Sequence, residues 1–171
     1  MKKRNFIGAI LLLFSAGICS GGSSQISYTN TEIGSGQWQY TYDVQNNSLS
    51  GGIKEFTVWF DYGSYGNLAI ATGNPPSSSW NEVVWQPEPV LQDAGGYDAV
   101  IKNLSIGVGE HVNGFAVSFD WLGSGVPGSQ YYEIINPVTF QTIDSGWTVP
   151  EPATMLLVGL GGLVLWRKRI R

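Results

Sequence analysis

The sequence predicts an all-β body folded as an antiparallel β-sandwich, and three observations predict it. Apolar and polar residues alternate with period two. Trp38, Tyr40, Tyr42 and Val44 alternate with Gln37, Gln39, Thr41 and Asp43, and Phe115, Val117, Phe119 and Trp121 alternate with Ala116, Ser118 and Asp120. Such alternation marks half-buried strands with one wet face. Turn residues separate the runs, at Asn46-Asn47, Gly51-Gly52, Gly73–Pro76, Gly95-Gly96, Gly123–Gly128 and Asn136-Pro137. Charged residues are only 13% of the 171, and 23 are glycine, which suits tight turns and argues against a coiled coil or helical bundle.

In chain order, the first element is a leader over residues 1–22. Lys2, Lys3 and Arg4 form a basic start, Phe6 to Ile18 is apolar, and small residues follow from Cys19 to Ser24. This is the three-part plan of a secretory signal peptide, here a signal helix too short to span a bilayer comfortably. Cleavage after Gly17 or Ser20 fits the small-residue requirement. Cys19 is preceded by Ile18, where a lipobox wants a small residue, so it reads as incidental rather than lipidated. As the single cysteine it allows no intramolecular disulfide and no cysteine-based zinc site.

The body, residues 23–147, holds eight or nine strands. Besides the alternating runs above and Phe56–Phe60, candidates are Gln25–Thr29, Leu68–Ala71, Glu82–Trp85, Ala99–Ile106, Tyr131–Ile135 and Val138–Ile143. Strands this short and this closely spaced predict a sandwich, with a jelly-roll order also compatible. About 125 residues can form a core without staples.

Charge narrows the function. Apart from the two termini, Lys54 and Lys102 are the only bases, and all thirteen acids lie between Glu32 and Glu151. The stretch 21–152, with net charge −11, is repelled by nucleic acids and anionic lipid surfaces, and no nucleic-acid partner is expected.

Catalytic machinery is sparse. The single histidine, His111, opens an alternating strand, has no Gly-x-Ser-x-Gly elbow beside it, and reads as a strand-start residue. His111 has no His or Cys partner in the body with which to hold zinc, and a phosphate-cradling Gly-x-x-x-x-Gly-Lys-Ser/Thr loop is missing from the sequence. Paired carboxylates are the remaining enzymatic option, as in a glycan hydrolase, with Asp43, Glu55, Asp61, Glu82, Asp120 and Glu133 as candidates. Single acids spread over a β body read first as its wet face. Asp93 and Asp98 flank a Gly-Gly turn where Ca²⁺ could find oxygen ligands, but the EF-hand pattern is absent and solvated turn acids fit better. The expectation is no catalytic residue, metal or cofactor. Six tryptophans lie in the body. Trp38 and Trp121 fall in register with core aromatics. Trp59, Trp80 and Trp85 are the candidates for exposed rings that stack on sugars, which makes a carbohydrate-binding module the alternative to a plain surface protein.

The last element is a tail over residues 148–171. Pro150 and Pro152 stop any preceding strand or helix. Ala153 to Trp166 carries no charge, and Arg167, Lys168, Arg169 and Arg171 form a basic end. The Met155–Trp166 segment predicts a short transmembrane helix, marginal against a hydrocarbon core of about 30 Å. The basic end stays cytoplasmic, which puts the body outside the inner membrane.

The ordered set of Val149-Pro150-Glu151-Pro152, short apolar helix and basic terminus resembles the PEP-CTERM sorting signal of Gram-negative bacteria. The tripeptide alone is weak, since Pro87-Glu88-Pro89 repeats it in the body without helix or basic end. The phrases Trp38–Asn46 and Pro127–Gln130 also look like those of other proteins with this tail. The resemblance implies a substrate of an exosortase-type processing enzyme with a transient inner-membrane stage. Delivery to the cell surface or extracellular matrix would follow, with an association with exopolysaccharide and biofilm. The reading is a secreted, non-enzymatic surface or matrix protein.

Overall fold

The computed structural model describes residues 22–74 and 76–151. The expected signal helix, the short transmembrane helix and the terminal basic cluster lie outside these residues.

Ten strands form two five-stranded sheets. They are β1 (Ser24–Gly34), β2 (Gln37–Asn46), β3 (Glu55–Phe60), β4 (Tyr65–Ile70), β5 (Trp80–Trp85), β6 (Gly95–Ile101), β7 (His111–Trp121), β8 (Tyr131–Asn136), β9 (Gln141–Trp147) and β10 (Val149–Pro150). One sheet has the order β10-β1-β2-β7-β4 and the other β5-β6-β3-β8-β9. All pairings are antiparallel except β1 with β10. The described residues contain no helix. The molecule is therefore the antiparallel-rich sandwich that the alternation predicts.

The core is mostly aromatic. Tyr40, Tyr42 and Phe119 of the first sheet and Phe56, Phe60 and Tyr97 of the second are fully or almost fully buried. Phe56 meets Phe115 edge-on at 4.9 Å across the two sheets, and Tyr40 stacks on Phe119 at 4.9 Å. Trp38 and Trp121 pack partly buried against this cluster, as their register predicts. Each buried tyrosine brings a hydroxyl that needs a partner. Tyr40 donates to the Gly128 carbonyl at 2.6 Å, and Tyr42 donates to Gln130 Oε1 at 3.2 Å. Gln130 Nε2 in turn donates to the Tyr65 hydroxyl at 3.2 Å. Burial pushes the Tyr40 and Tyr42 phenols far above their usual range, so they remain neutral donors.

Several strand boundaries differ from the sequence reading, as where β1 runs on to Gly34, β4 starts at Tyr65 and β5 starts at Trp80, and three more have a local cause. Val138–Phe140 is a turn rather than the start of a strand. Asn136 Oδ1 accepts the Val138 N–H at 2.9 Å, and Phe140 takes a positive φ of 56°. The local side-chain bond competes with the ladder and delays β9 to Gln141. Gly95-Gly96 is not a turn but the start of β6, which ends at Ile101 instead of running to Ile106. Both glycines are there for close approach. A Cβ on Gly96 would lie 2.1 Å from the Trp85 ring, and one on Gly95 would lie 2.6 Å from Pro87. Pro150 does not end the sheet before itself, because it lies within the short edge strand β10. The folded body thus reaches past Trp147.

Candidate functional site

The site lies on the outer face of the β5-β6-β3-β8-β9 sheet. Along β3, Phe56, Val58 and Phe60 are buried inward, which sends Glu55, Thr57 and Trp59 outward. Trp59 pairs with Gly96 of β6, and Gly96 pairs with Trp85 of β5. On the other side β3 pairs with β8 through Val58 and Tyr132, and continuing that register by one residue sets Trp59 beside Tyr131. Tyr131 pairs with Trp147 of β9. Trp85, Trp59, Tyr131 and Trp147 therefore form one row across five strands, with Gly96 as the gap that the Trp85 ring covers. Four strand spacings make the row about 19 Å long.

The rings are arranged in two edge-to-face pairs. Trp59 and Trp85 have centroids 5.5 Å apart at 76°, and Tyr131 and Trp147 are 5.9 Å apart at 64°. Trp147 is 66% exposed and Tyr131 36%, while Trp59 and Trp85 are half-buried. A shallow cavity of about 250 Å³ opens at the row, lined by Trp59, Tyr131 and Trp147 together with Asp61, Ala94 and Ser129.

A second row, one step along the strands, is polar. Glu133 accepts the Trp59 indole N–H at 2.9 Å and the Thr142 hydroxyl at 2.8 Å, which fixes the Trp59 ring. Asp98 accepts the Thr57 hydroxyl at 2.8 Å. Burial raises the Asp98 carboxyl above the usual carboxylate range, and the Thr57 bond opposes it. Glu55 is raised by burial and then by the charge of Asp98. None of the five strands of this sheet contains Lys or Arg.

Of the three tryptophans singled out from sequence, Trp59 and Trp85 join this row. Trp80 does not: it is 2% exposed, sits at the inward start of β5, and packs edge-on against Phe115 at 5.2 Å. Its role as a stacking ring is corrected to a core role. The expected strand began at Glu82 and left Trp80 outside it, whereas β5 begins at Trp80, which shares the inner side with Glu82, the acceptor of the Tyr97 hydroxyl at 2.6 Å and of the Thr72 hydroxyl. Sequence reasoning missed Tyr131 and Trp147. The only local signal for Trp147 was an aromatic residue closing a polar run, and the misplaced start of β9 hid its face.

The other candidates scatter. His111 Nδ1 lies 2.9 Å from Asp43 on the outer face of the opposite sheet, exposed to solvent. Asp61 holds its own turn through Gly63 and Ser64, and Asp120 accepts from Asn67. Asp93 sits in a loop bridge with Glu88, whereas Asp98 is in β6, so the two do not form one loop site. Among the described residues, no three His, Cys, Asp or Glu side chains gather as a metal site requires.

The first residues of the tail are also placed. Thr148 is buried (1% exposed), and it exchanges bonds with Gln130: Thr148 N–H to Gln130 O at 2.8 Å, and Gln130 N–H to Thr148 Oγ1 at 2.9 Å. Val149 and Pro150 pair with Ser27 and Tyr28, and the Glu151 N–H donates to the Tyr28 carbonyl at 2.9 Å. Pro152 and the basic residues Arg167, Lys168, Arg169 and Arg171 lie outside the described residues.

Comparison with known proteins adds two findings. Among solved structures, the chain is similar to a family 3b carbohydrate-binding module from Clostridium clariflavum, at 12% identity and TM-score 0.44, covering 78% of this chain and 99% of that one. It is also similar to the chitin-binding domain of Chi18aC from Streptomyces coelicolor, at 16% identity and TM-score 0.40, covering 64% and 90%. A third is a cohesin module from a Clostridium perfringens family 33 glycoside hydrolase, at 11% identity and TM-score 0.41, covering 76% and 98%. Likeness this distant carries no weight for ligand or partner. No curated protein matches the sequence. Residues 148–169 match the family model for the PEP-CTERM protein-sorting motif. That signal implies export, processing by an exosortase and sorting to the cell envelope, and it makes the last segment of this chain a PEP-CTERM sorting tail.

Proposed function

We propose that the body is a non-catalytic glycan-binding module, delivered by its tail to the cell surface or extracellular matrix, where it holds neutral exopolysaccharide. The observation that carries the reading is the cross-sheet row of Trp85, Trp59, Tyr131 and Trp147 on a face the core does not need. Large aromatic rings left at a wet surface lose hydration free energy unless something covers them. Sugar rings suit the task, since their C–H faces stack on indole and phenol while their hydroxyls reach the flanking Glu133 and Asp98. A row about 19 Å long accommodates several sugar units of an extended chain. The acids without bases disfavour uronic and sulfated polymers. In this reading Met155–Trp166 is a temporary membrane span, and the association with biofilm follows from the retained glycan.

The test is retention of the processed protein on neutral polysaccharides, with a polyuronate as control. Retention of the parent and its loss in Trp59→Ala/Trp85→Ala/Trp147→Ala is the expected result. A parent that binds no neutral glycan, or a triple variant that binds equally, removes the reading.

A further inference from the structure

We propose that the folded sandwich and the processing enzyme compete for one peptide, so that the tail is processed only while β10 is off the edge of β1. The inference rests on the tail being a processed signal. Its geometric basis is that the first two residues of the sorting motif, Val149 and Pro150, are at the same time the last strand of the body. Thr148 anchors the segment through its reciprocal bonds with Gln130. Val149 and Pro150 then run parallel to Ser27 and Tyr28, and the Glu151 N–H is given to the Tyr28 carbonyl.

Backbone groups of alternate residues in a strand point to opposite sides. Val149 and Glu151 therefore turn their polar groups to β1, and Pro150 turns away. Proline has no N–H, so the outward side of β10 offers no donor at Pro150 for a further strand. The order of Pro150 and Glu151 matches this alternation: Glu151 bonds to the body while Pro150 blunts the sheet edge. An enzyme that grips an extended peptide does so largely through main-chain hydrogen bonds. At Glu151 the N–H it would use is held by Tyr28. The docked and the enzyme-held states exclude each other. An unfolded body presents the motif freely, and a folded one withholds it until β10 peels away.

The test uses the full chain in an exosortase-bearing host, following the appearance of the shortened form by pulse-chase. Ser27 and Val149 are directly paired across the ladder. Neighbouring strands lie within disulfide reach, and the exported body meets an oxidising compartment. In Ser27→Cys/Val149→Cys, tail removal should slow by about tenfold or more, as it does when the competent state falls to a tenth of its population. Reductant should restore removal in the same double variant, whose oxidised and reduced forms share any effect of Val149→Cys on the motif itself, and Ser27→Cys alone, which controls for pairing with Cys19, should be processed at the parental rate. A flexible Gly/Ser insert between Thr148 and Val149 keeps the motif whole and lowers the effective concentration of β10 at its edge, which should speed removal by about two- to fivefold. Processing of the cross-linked form at the rate of its own reduced form overturns the proposal, as does failure of the cross-link to form in the exported protein. A parent that keeps its tail with and without the exosortase overturns the sorting reading itself, an outcome distinct from the other two.

Discussion

The outer face of the β10-β1-β2-β7-β4 sheet carries Gln25, Ser27 and Thr29 from β1, Gln39, Thr41 and Asp43 from β2, and Ser118 and Asp120 from β7. The outer face of the opposite sheet carries Trp59, Trp85, Tyr131 and Trp147, each from a different strand. Both sheets turn apolar residues inward with the same period, and both are mainly antiparallel. The first face needs only solubility, and short polar side chains supply it. The second holds four aromatic rings that the core does not require, together with a glycine whose missing Cβ leaves room for one of them. The contrast separates what a sandwich needs from what has been added to it.

The largest expected effect sharpens this contrast inside one strand. Trp80→Ala empties a core position and should cost about 3–5 kcal/mol of unfolding free energy, read from urea denaturation. Trp85→Ala, five residues along β5, should cost much less stability. A comparable loss at Trp85 would mean that its ring is structural covering and not a binding surface.

Next comes a comparison of the two faces by binding. Loss of three strip rings should weaken neutral-glycan binding by about 100-fold or more, given that central aromatic anchors are each worth about 2 kcal/mol. Gln39→Ala/Thr41→Ala/Ser118→Ala on the polar face should leave it unchanged, as measured by affinity electrophoresis. Equal losses on both faces would erase the distinction.

A smaller effect follows at the gap in the row. Gly96→Val places atoms where the Trp85 ring now lies, since even a Cβ would sit 2.1 Å away. Overpacking of this kind costs about 1–3 kcal/mol. It should also swing Trp85 off the row, visible as a change in tryptophan fluorescence and a partial loss of glycan binding. Normal binding by a folded Gly96→Val protein would show that Trp85 does not contribute.

The smallest effect concerns the acids beside the row. Burial raises the Asp98 carboxyl, so the folded state holds its proton more tightly than the unfolded chain does. The resulting stabilisation is present at low pH and is lost as pH rises from the ordinary carboxylate value of about 4 through the raised folded value. Asp98→Asn keeps an oxygen acceptor for Thr57 and removes this loss. Its gain over the parent should be larger at pH 7 than at pH 4 and below about 1 kcal/mol after solvent screening. A variant less stable than the parent at pH 7 would mean that the Thr57 bond to the charged carboxylate outweighs desolvation.

Much of the sandwich was legible because alternation is a local property. Tyr40, Tyr42, Phe56, Phe115 and Phe119 announce their inward face within their own strands. Reading failed where a side chain answered to a distant partner. Glu82 turns inward because the Tyr97 hydroxyl meets it there, and Trp80, left outside the expected strand Glu82–Trp85, turns inward with it as the first residue of β5. Gly95-Gly96 looks like a turn to any local rule, and only Pro87 and Trp85 packing above it explain two glycines in a strand. The candidate site was half visible, in Trp59 and Trp85, while Tyr131 and Trp147 depended on the bulged register of β8 with β9.

The sequence by itself determined that the chain folds as strands, that its body repels polyanions, and that its last segment is a sorting signal. These depend on residue order within a strand or a tail. Tertiary structure decided that residues 59, 85, 131 and 147 stand in one row, and that the sorting motif starts as an edge strand on β1. Period two fixes which face a side chain takes but not its neighbour on the next strand. That neighbour is set by the register between segments far apart in sequence, which the packing of the shared core selects.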